Sequence, residues 1–483
     1  MTTDPLDLTA LELAGLIERR AASPFEVMRA VQRRLDETEP FLNAFISRRD
    51  DEALEEARAA EAEITAGRYR GPLHGMPVAI KDNIAVAGTI TTAGAKFLNE
   101  NLTPEDAEAI LRLKTAGAIV VGKTNMFELA VGNRSINPHY GDAHNPWGAN
   151  HDAGGSSGGS AIAVAARQVP LALGTDAAGS VRMPASVSGI VGLKQTQGRV
   201  SVRGIVASQN VTVDHIGPMA RTVADAALLL ETIAGHDPSC PTSADCPVPT
   251  YRAALREDLS GLRVGVPANY FFDLLDPEVE SGVRAAIRVL EELGAATQLV
   301  HIPDLEDLMA ARTALSAEGL ALHDPWLRAH PELYGNELRR RLLANYFIPS
   351  RDLARANRVR RILKERFAAV FEKVDLIAAP TTPIVSFPLD ATTAAVRVSK
   401  TGEIVERPTS VLMMRLTSPG NVSGLPAITV PGGFTPAGLP IGFQLFARPF
   451  EEELMLGAAH AYEQATRWYT RVPPHVTPAA VTA

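Results

Sequence analysis

Cysteine is nearly missing from this chain: Cys240 and Cys246 are the only two in 483 residues. They lie close together in "HDPSCPTSADCPVP", with no Cys-x-x-Cys or Cys/His spacing around them. A disulfide between them would close only a small loop, and no thiolate metal site can be built from that pattern. Neither falls at a strand end or a helix start, which argues against a catalytic thiol and leaves them incidental or structural. Positive charge is in deficit as well, 47 Lys and Arg against 55 Asp and Glu. A net charge of −8 excludes broad nucleic-acid binding, which needs a basic surface. No apolar run approaches the roughly 18 residues of a membrane-spanning helix. The opening "MTTDPLDLTALELAGLIERR" lacks a basic, then apolar, signal-peptide pattern, so cytoplasmic residence is the expected default. Lysine is the scarcest charged residue, with eight positions (81, 96, 114, 123, 194, 364, 373 and 400), most of which read as surface residues.

What is present is an alternation of helices and short strands. Thr9 with Glu12 makes a capping-box pattern. Ser23-Pro24 starts a second helix that runs through Val27, Met28, Val31 and Leu35. Further on, Val78–Ile80 reads as a buried strand ending at Lys81; Pro104–Ala116 reads as a helix, and 118–121 as the strand after it. "GSAIAVAARQ" reads as a helix before strand Leu171–Leu173, and "LRVGVP", "VDLIAAPTTP" and "LPAITVPGG" supply later strands. This predicts an α/β fold with a mostly parallel or mixed sheet. Nothing marks a domain boundary. One domain over 1–483 is expected, with a helical layer (1–70), a core carrying the candidate site (71–235) and a part completing sheet and pocket (250–483).

The stretch "HDAGGSSGGSAIAVAA" at 151–166 packs glycine and serine ahead of an apolar segment. A flexible linker would not enter a helix that is apolar on every face until Arg167. A phosphate cradle would need a preceding strand and, in its Walker form, a lysine. A nucleophile elbow fits Gly154-Gly155-Ser156-Ser157-Gly158 formally, but the polar residues before it make a poor strand. Lys81 is sharper. It closes an apolar strand, where an ammonium loses hydration and its pKa falls. A neutral lysine is a base for a serine hydroxyl; the plainer reading is an ion pair with Asp82 or another carboxylate. In "LALGTDAAGSVRMPAS" (171–186), small residues after a strand let backbone N–H groups converge around Ser180, as an oxyanion hole requires. Asp176 and Arg182 flank that turn with opposite charges and can brace it. A tight turn with an incidental serine remains the alternative.

Together, "GGSSGGSAIAVAARQVPLALGTDAAGSVRMPASVSGIVGLK", "GPLHGMPVAIKDN", "NPHYGDAHNPW", "DHIGPMARTVADAALLL" and "GLPAITVPGG…GLPIGFQL" closely resemble the amidase signature family, with matches over nearly the whole chain. The resemblance implies a three-layer α/β/α sandwich around a large mixed sheet. It implies Lys81 as base, Ser156 on a cis peptide bond as proton relay, and Ser180 as acylated nucleophile. The N–H groups of Ala177, Ala178, Gly179 and Ser180 would hold the oxyanion, and Ser157 would support the network. No metal or cofactor is implied. The partner is a small amide, carbamate or ester, with neither nucleic acid nor membrane, and a homodimer is left open.

The implied reaction is amide C–N hydrolysis by a stand-alone enzyme distinct from the glutaminase component of tRNA-dependent amidotransferases, because a "DGVRYG"-type segment is missing and "ALHDPWLRAHPELYGNELRRRLL" stands in that region. The alternatives are that glutaminase component, which passes ammonia to a partner, or a urethanase, ureido- or ester-hydrolase using the same residues. Ala178 stands where the family usually has glycine, and its methyl is expected to narrow the acyl pocket. Val187, Ser188 and Gln195 also depart from the family, as packing changes.

Overall fold

The computed structural model describes residues 4–206 and 212–474. Its strands, in chain order, are β1 (Phe45–Arg48), β2 (Pro77–Lys81), β3 (Ile119–Thr124), β4 (Leu171–Thr175), β5 (Val191–Lys194), β6 (Ile216–Ala220) and β7 (Arg263–Pro267). They continue with β8 (Leu274–Leu275), β9 (Ala296–Val300), β10 (Leu376–Pro380), β11 (Thr393–Val398), β12 (Ile404–Pro408), β13 (Ala427–Phe434) and β14 (Pro440–Phe446). Eleven of them form one sheet in the order β1-β3-β2-β4-β6-β5-β13-β14-β10-β7-β9, and β12-β11-β8 form a small second sheet. In the large sheet only β2–β3, β2–β4, β7–β10 and β7–β9 pair in parallel. The sheet is therefore mixed rather than mostly parallel.

Alternation along the strands builds the layers. Val78 and Ile80 of β2, and Leu171 and Leu173 of β4, point into one apolar core, shared with the helices Ala10–Glu18, Val223–Ile233 and Glu452–Thr466. Ala79 and Ala172 point into the other core, against the helices Pro24–Leu42, Asp50–Thr65 and Gly158–Ala165. Successive side chains face opposite sides of a strand, so a sheet covered on both faces needs an unbroken apolar run. The alanines leave room for the Gly158–Ala165 helix to pack closely. This is the three-layer α/β/α sandwich.

Local signals at the N-terminus read correctly. Thr9 and Glu12 exchange both capping-box hydrogen bonds, and Ser23 accepts from the N–H groups of Phe25 and Glu26. Three readings need correction. Residues 1–70 also supply β1, which pairs with β3 at the sheet edge; four residues are too few to show a period. The helix expected from Pro104 is Glu108–Thr115, because Ala107 is extended and Asp106 instead accepts from the Ala87 N–H. β3 runs on through Lys123, so that lysine is buried rather than on the surface.

Candidate active site

Lys81 ends β2 and Thr175 ends β4. The strands are parallel, with Ile80 opposite Leu173, so both deliver their last side chains to one edge of the sheet. Ligand sites of α/β sheets gather at the C-terminal ends of such strands. Lys81 is fully buried, and its Nζ lies 2.7 Å from Ser156 Oγ and 2.8 Å from Thr175 Oγ1. No carboxylate pairs with it among the described residues. Asp82, the ion-pair alternative, turns away to Lys123 at 3.1 Å and to the Thr92 hydroxyl. Burial is the largest influence on Lys81 and draws its pKa down to about 7, against the opposing pull of Asp214 and Asp176.

Ser156 follows a cis peptide bond from Gly155 and is also fully buried. The Gly-rich spelling is partly a matter of room: a Cβ on Gly155 would lie 2.1 Å from the Arg134 carbonyl oxygen. Asp152 anchors the approach, accepting from the N–H groups of Gly154 (2.7 Å) and Ser135 (3.2 Å) and from Arg134 Nε (2.7 Å). Ser157 joins three pieces. Its hydroxyl bonds both the Thr175 carbonyl and N–H at 3.2 Å, and its N–H donates to the Ser180 carbonyl at 3.2 Å. Ser156 and Ser180 are thus held together through the backbone. The structure shows no hydrogen bond between their hydroxyls. Ser180 is 6% exposed, so of Lys81, Ser156 and Ser180 it alone reaches solvent.

The turn 176–181 connects β4 to the helix Arg182–Ser188. Asp176 and Arg182 do brace it, with Arg182 Nε 3.1 Å and Nη2 3.3 Å from the carboxylate. Burial pushes the Asp176 carboxyl up, but the Arg182 charge and hydrogen bonds, with Lys194 and Asn421, outweigh it and hold it well below the usual range. One expectation fails here. The Gly179 N–H is not available to an oxyanion, because Asp176 Oδ1 takes it at 2.6 Å, and the Val181 N–H goes to the other carboxylate oxygen. The N–H groups of Ala177, Ala178 and Ser180 have no protein acceptor among the described residues. Gly179 still has to be glycine, since its φ is +122° and a Cβ there would lie 2.1 Å from Thr417 Oγ1.

Four residues at the site carried no assigned role in the sequence reading. Thr175 shares Lys81 with Ser156. Asn83 donates to the Thr175 hydroxyl at 3.1 Å. Thr417 donates to the Ala178 carbonyl at 2.7 Å, and Asn421 donates to the Asp176 carbonyl at 3.0 Å. Thr417 and Asn421 come from about 240 positions downstream, where no local pattern announces them. Lys194, which the sequence reading did not single out, is fully buried with its Nζ 3.3 Å from His215 Nε2. His215 Nδ1 faces the carbonyls of Val213 (2.8 Å) and Asp176 (3.1 Å), so that nitrogen carries the hydrogen and Nε2 accepts from Lys194. Burial, then the Lys194 charge, lowers the His215 pKa to about 3, which keeps the ring neutral. No group of three or more His, Cys, Asp or Glu among the described residues is placed to hold a metal. No helix among them is long and apolar enough to cross a membrane.

Comparison with known proteins identifies the family. The family model "Amidase" matches residues 26–456. The chain is 40% identical to the A component of glutamyl-tRNA(Gln) amidotransferase from Moorella thermoacetica, over 96% of this chain and 98% of the relative. Among solved structures it resembles a protein of a vestigial complex tied to the origins of an s-triazine catabolic enzyme, at TM-score 0.89 and 34% identity, covering 95% of this chain and 98% of that one. It also resembles the peptide amidase of Stenotrophomonas maltophilia, at TM-score 0.83 and 32% identity over 97% and 98% of the two chains. The expected separation from that amidotransferase component is not supported, since relatives at 40–41% identity carry its name. What the family match over residues 26–456 and these relatives do show is that the chain belongs to the amidase signature family.

Proposed function

We propose that the chain breaks a primary amide through an acyl-enzyme on Ser180. The observation that carries this is a buried Lys81 amine 2.7 Å from the Ser156 hydroxyl, with no carboxylate in ion-pair contact among the described residues. Neutral Lys81 accepts the Ser156 proton as Ser156 accepts that of Ser180. Ser180 Oγ adds to the amide carbon, and the negative charge that develops on its oxygen faces the free N–H groups of Ala177, Ala178 and Ser180. The proton returns through Ser156 to the leaving nitrogen, the C–N bond breaks, and ammonia departs. Water then adds to the ester, gives its proton to the same relay and releases the acid. Asp176 and Arg182 hold the turn, and Ser157 keeps the relay in line with it.

Two fates of the ammonia follow. The 40% identity to the amidotransferase component over 96% of the chain favours glutamine as the amide and transfer of ammonia to a partner protein. Free hydrolysis is favoured by the "ALHDPWLRAHPELYGNELRRRLL" segment, which stands where a "DGVRYG"-type segment is expected of that component. Ammonia release should be measured from glutamine, aryl and aliphatic primary amides, ureas and carbamates, with the chain alone and as recovered from its host with any bound partners. A free hydrolase turns over an amide alone and at an unchanged rate in the recovered material. Glutamine-dependent release that appears only with co-purifying partners assigns the transfer reading.

A further inference from the structure

The Lys81 amine faces three oxygens: Ser156 Oγ at 2.7 Å, Thr175 Oγ1 at 2.8 Å and the Thr175 carbonyl at 3.4 Å. As an ammonium it has a hydrogen for each of them. As the free amine that the relay needs, it has two hydrogens and one lone pair. The Thr175 carbonyl only accepts, so it takes one hydrogen. The other hydrogen and the lone pair are left for two hydroxyls, and each hydroxyl can serve either. With the lone pair on Ser156, the amine can draw that serine's proton. With the lone pair on Thr175, the threonine donates to the amine, the amine donates to Ser156, and the base is already occupied. The near-equal distances do not choose between the two arrangements.

Asn83 chooses. It stands two residues beyond Lys81, on the same side of the chain, while Asp82 between them turns to Lys123. Its amide meets the Thr175 hydroxyl with Nδ2 at 3.1 Å and Oδ1 at 3.5 Å, and neither amide atom has another protein partner among the described residues. While Lys81 is an ammonium, all three of its contacts are donations, and Asn83 Oδ1 is the one acceptor left among the described residues for the Thr175 hydrogen. When a proton leaves Lys81 through Ser156, the lone pair opens on the Ser156 side. Thr175 goes on accepting from the amine as long as Asn83 holds its hydrogen. We propose that Thr175 and Asn83 are positioning residues that set the direction of the proton relay, by keeping the Lys81 lone pair on Ser156. Each is only 1% exposed, so the pair acts on the base and not on substrate. This rests on the Lys81–Ser156–Ser180 reading.

The test follows Ser180 acylation by an activated ester in a single turnover, with steady-state turnover alongside. It compares wild type, Thr175→Val, Thr175→Ser, Asn83→Ala, and Thr175→Val combined with Asn83→Ala. Thr175→Val keeps the side-chain shape and the backbone bonds to Ser157, but strands an amine hydrogen whenever the lone pair faces Ser156. Its plateau rate should fall roughly 10- to 10²-fold, with KM changed less than about threefold. The ammonium loses an acceptor, so the ionisation seen in the rate should move to lower pH. Asp214 and Asp176, the charges that act on Lys81, are the same in every variant, so that shift reports the lost hydrogen bond. Thr175→Ser should recover most of the rate and the wild-type ionisation. Asn83→Ala should cost about tenfold alone and next to nothing beside Thr175→Val, since without the hydroxyl there is no hydrogen to hold. A full rate in Thr175→Val, a loss that Thr175→Ser does not reverse, or additive losses in the combined variant overturns the positioning role. Lys81→Met, run in parallel, separates the two claims. A Lys81→Met rate equal to wild type sinks the relay itself, whereas a requirement for Lys81 with additive Thr175 and Asn83 losses sinks the positioning role alone.

Discussion

Ser180→Ala is expected to lower amide turnover by on the order of 10⁴- to 10⁶-fold, because nucleophile and relay act as a unit and removal of one member strands the others. The free N–H groups of the turn remain in the variant, so a residual rate above that of water is expected from carbonyl polarisation alone. The fold should not suffer: Ser180 is held by its carbonyl, which accepts from Ser157, and its hydroxyl has no hydrogen-bond partner among the described residues. Near-normal thermal unfolding, with no covalent adduct by mass spectrometry after an activated ester is added, is the expected pair of results. An adduct at another residue would move the chemistry away from this turn.

Asp176→Asn has the largest expected effect on stability. The carboxylate is fully buried and holds five groups at once: Arg182 Nε and Nη2, the N–H groups of Gly179 and Val181, and Asn421 Nδ2. Loss of its charge leaves the buried Arg182 with only the amide oxygens of Asn421 (2.7 Å) and Gln444 (3.4 Å) and no opposite charge, a change that costs about 3–5 kcal/mol in comparable pairs. The folded-state pKa of Asp176 lies below its unfolded value. Its stabilisation is therefore complete above about pH 4 and lost as pH falls through the lower folded value, and the variant should show no such acid-dependent component. Asp176 also raises the pKa of Lys81. Its removal lowers that pKa further, so the acid limb of the pH–rate profile should move down in pH while kcat falls through disorder of the turn. Chemical denaturation at pH 7 and a pH–rate profile of the residual activity measure both.

Of the proposed relay, side-chain chemistry singled out Lys81, and the resemblance to the amidase signature family supplied the roles of Ser156 and Ser180. A lysine closing "PVAIK" in a lysine-poor chain has nowhere to hide its charge, and serines set among glycines before an all-apolar helix cannot be a linker. The layers were legible from the alternation of short strands with capped helices. What escaped the sequence is what folding brings from afar. Thr175 was visible as a strand end, but only the parallel pairing of β2 with β4 places its hydroxyl on the Lys81 amine. Thr417 and Asn421 reach the turn from a helix pair whose own sequence shows nothing unusual. The Gly179 N–H looked like an oxyanion donor until the carboxylate three residues earlier was seen to claim it. Lys123 and Lys194 were not told apart from surface lysines, because a single charge at a strand end has no period to betray its direction.

The most direct test is the pH dependence of Ser180 acylation, followed in a single turnover with an activated ester, in wild type and in Lys81→Met. Lys81 is the base only as the free amine, and its pKa is drawn down to about 7. The wild-type rate should rise with one ionisation near pH 7 and level off above it. Lys81→Met should lose that ionisation and fall by roughly 10²- to 10⁴-fold at the plateau, the usual worth of a positioned base. An acylation rate in Lys81→Met that matches wild type at neutral pH, or a wild-type profile flat from pH 5 to 9, would contradict the relay.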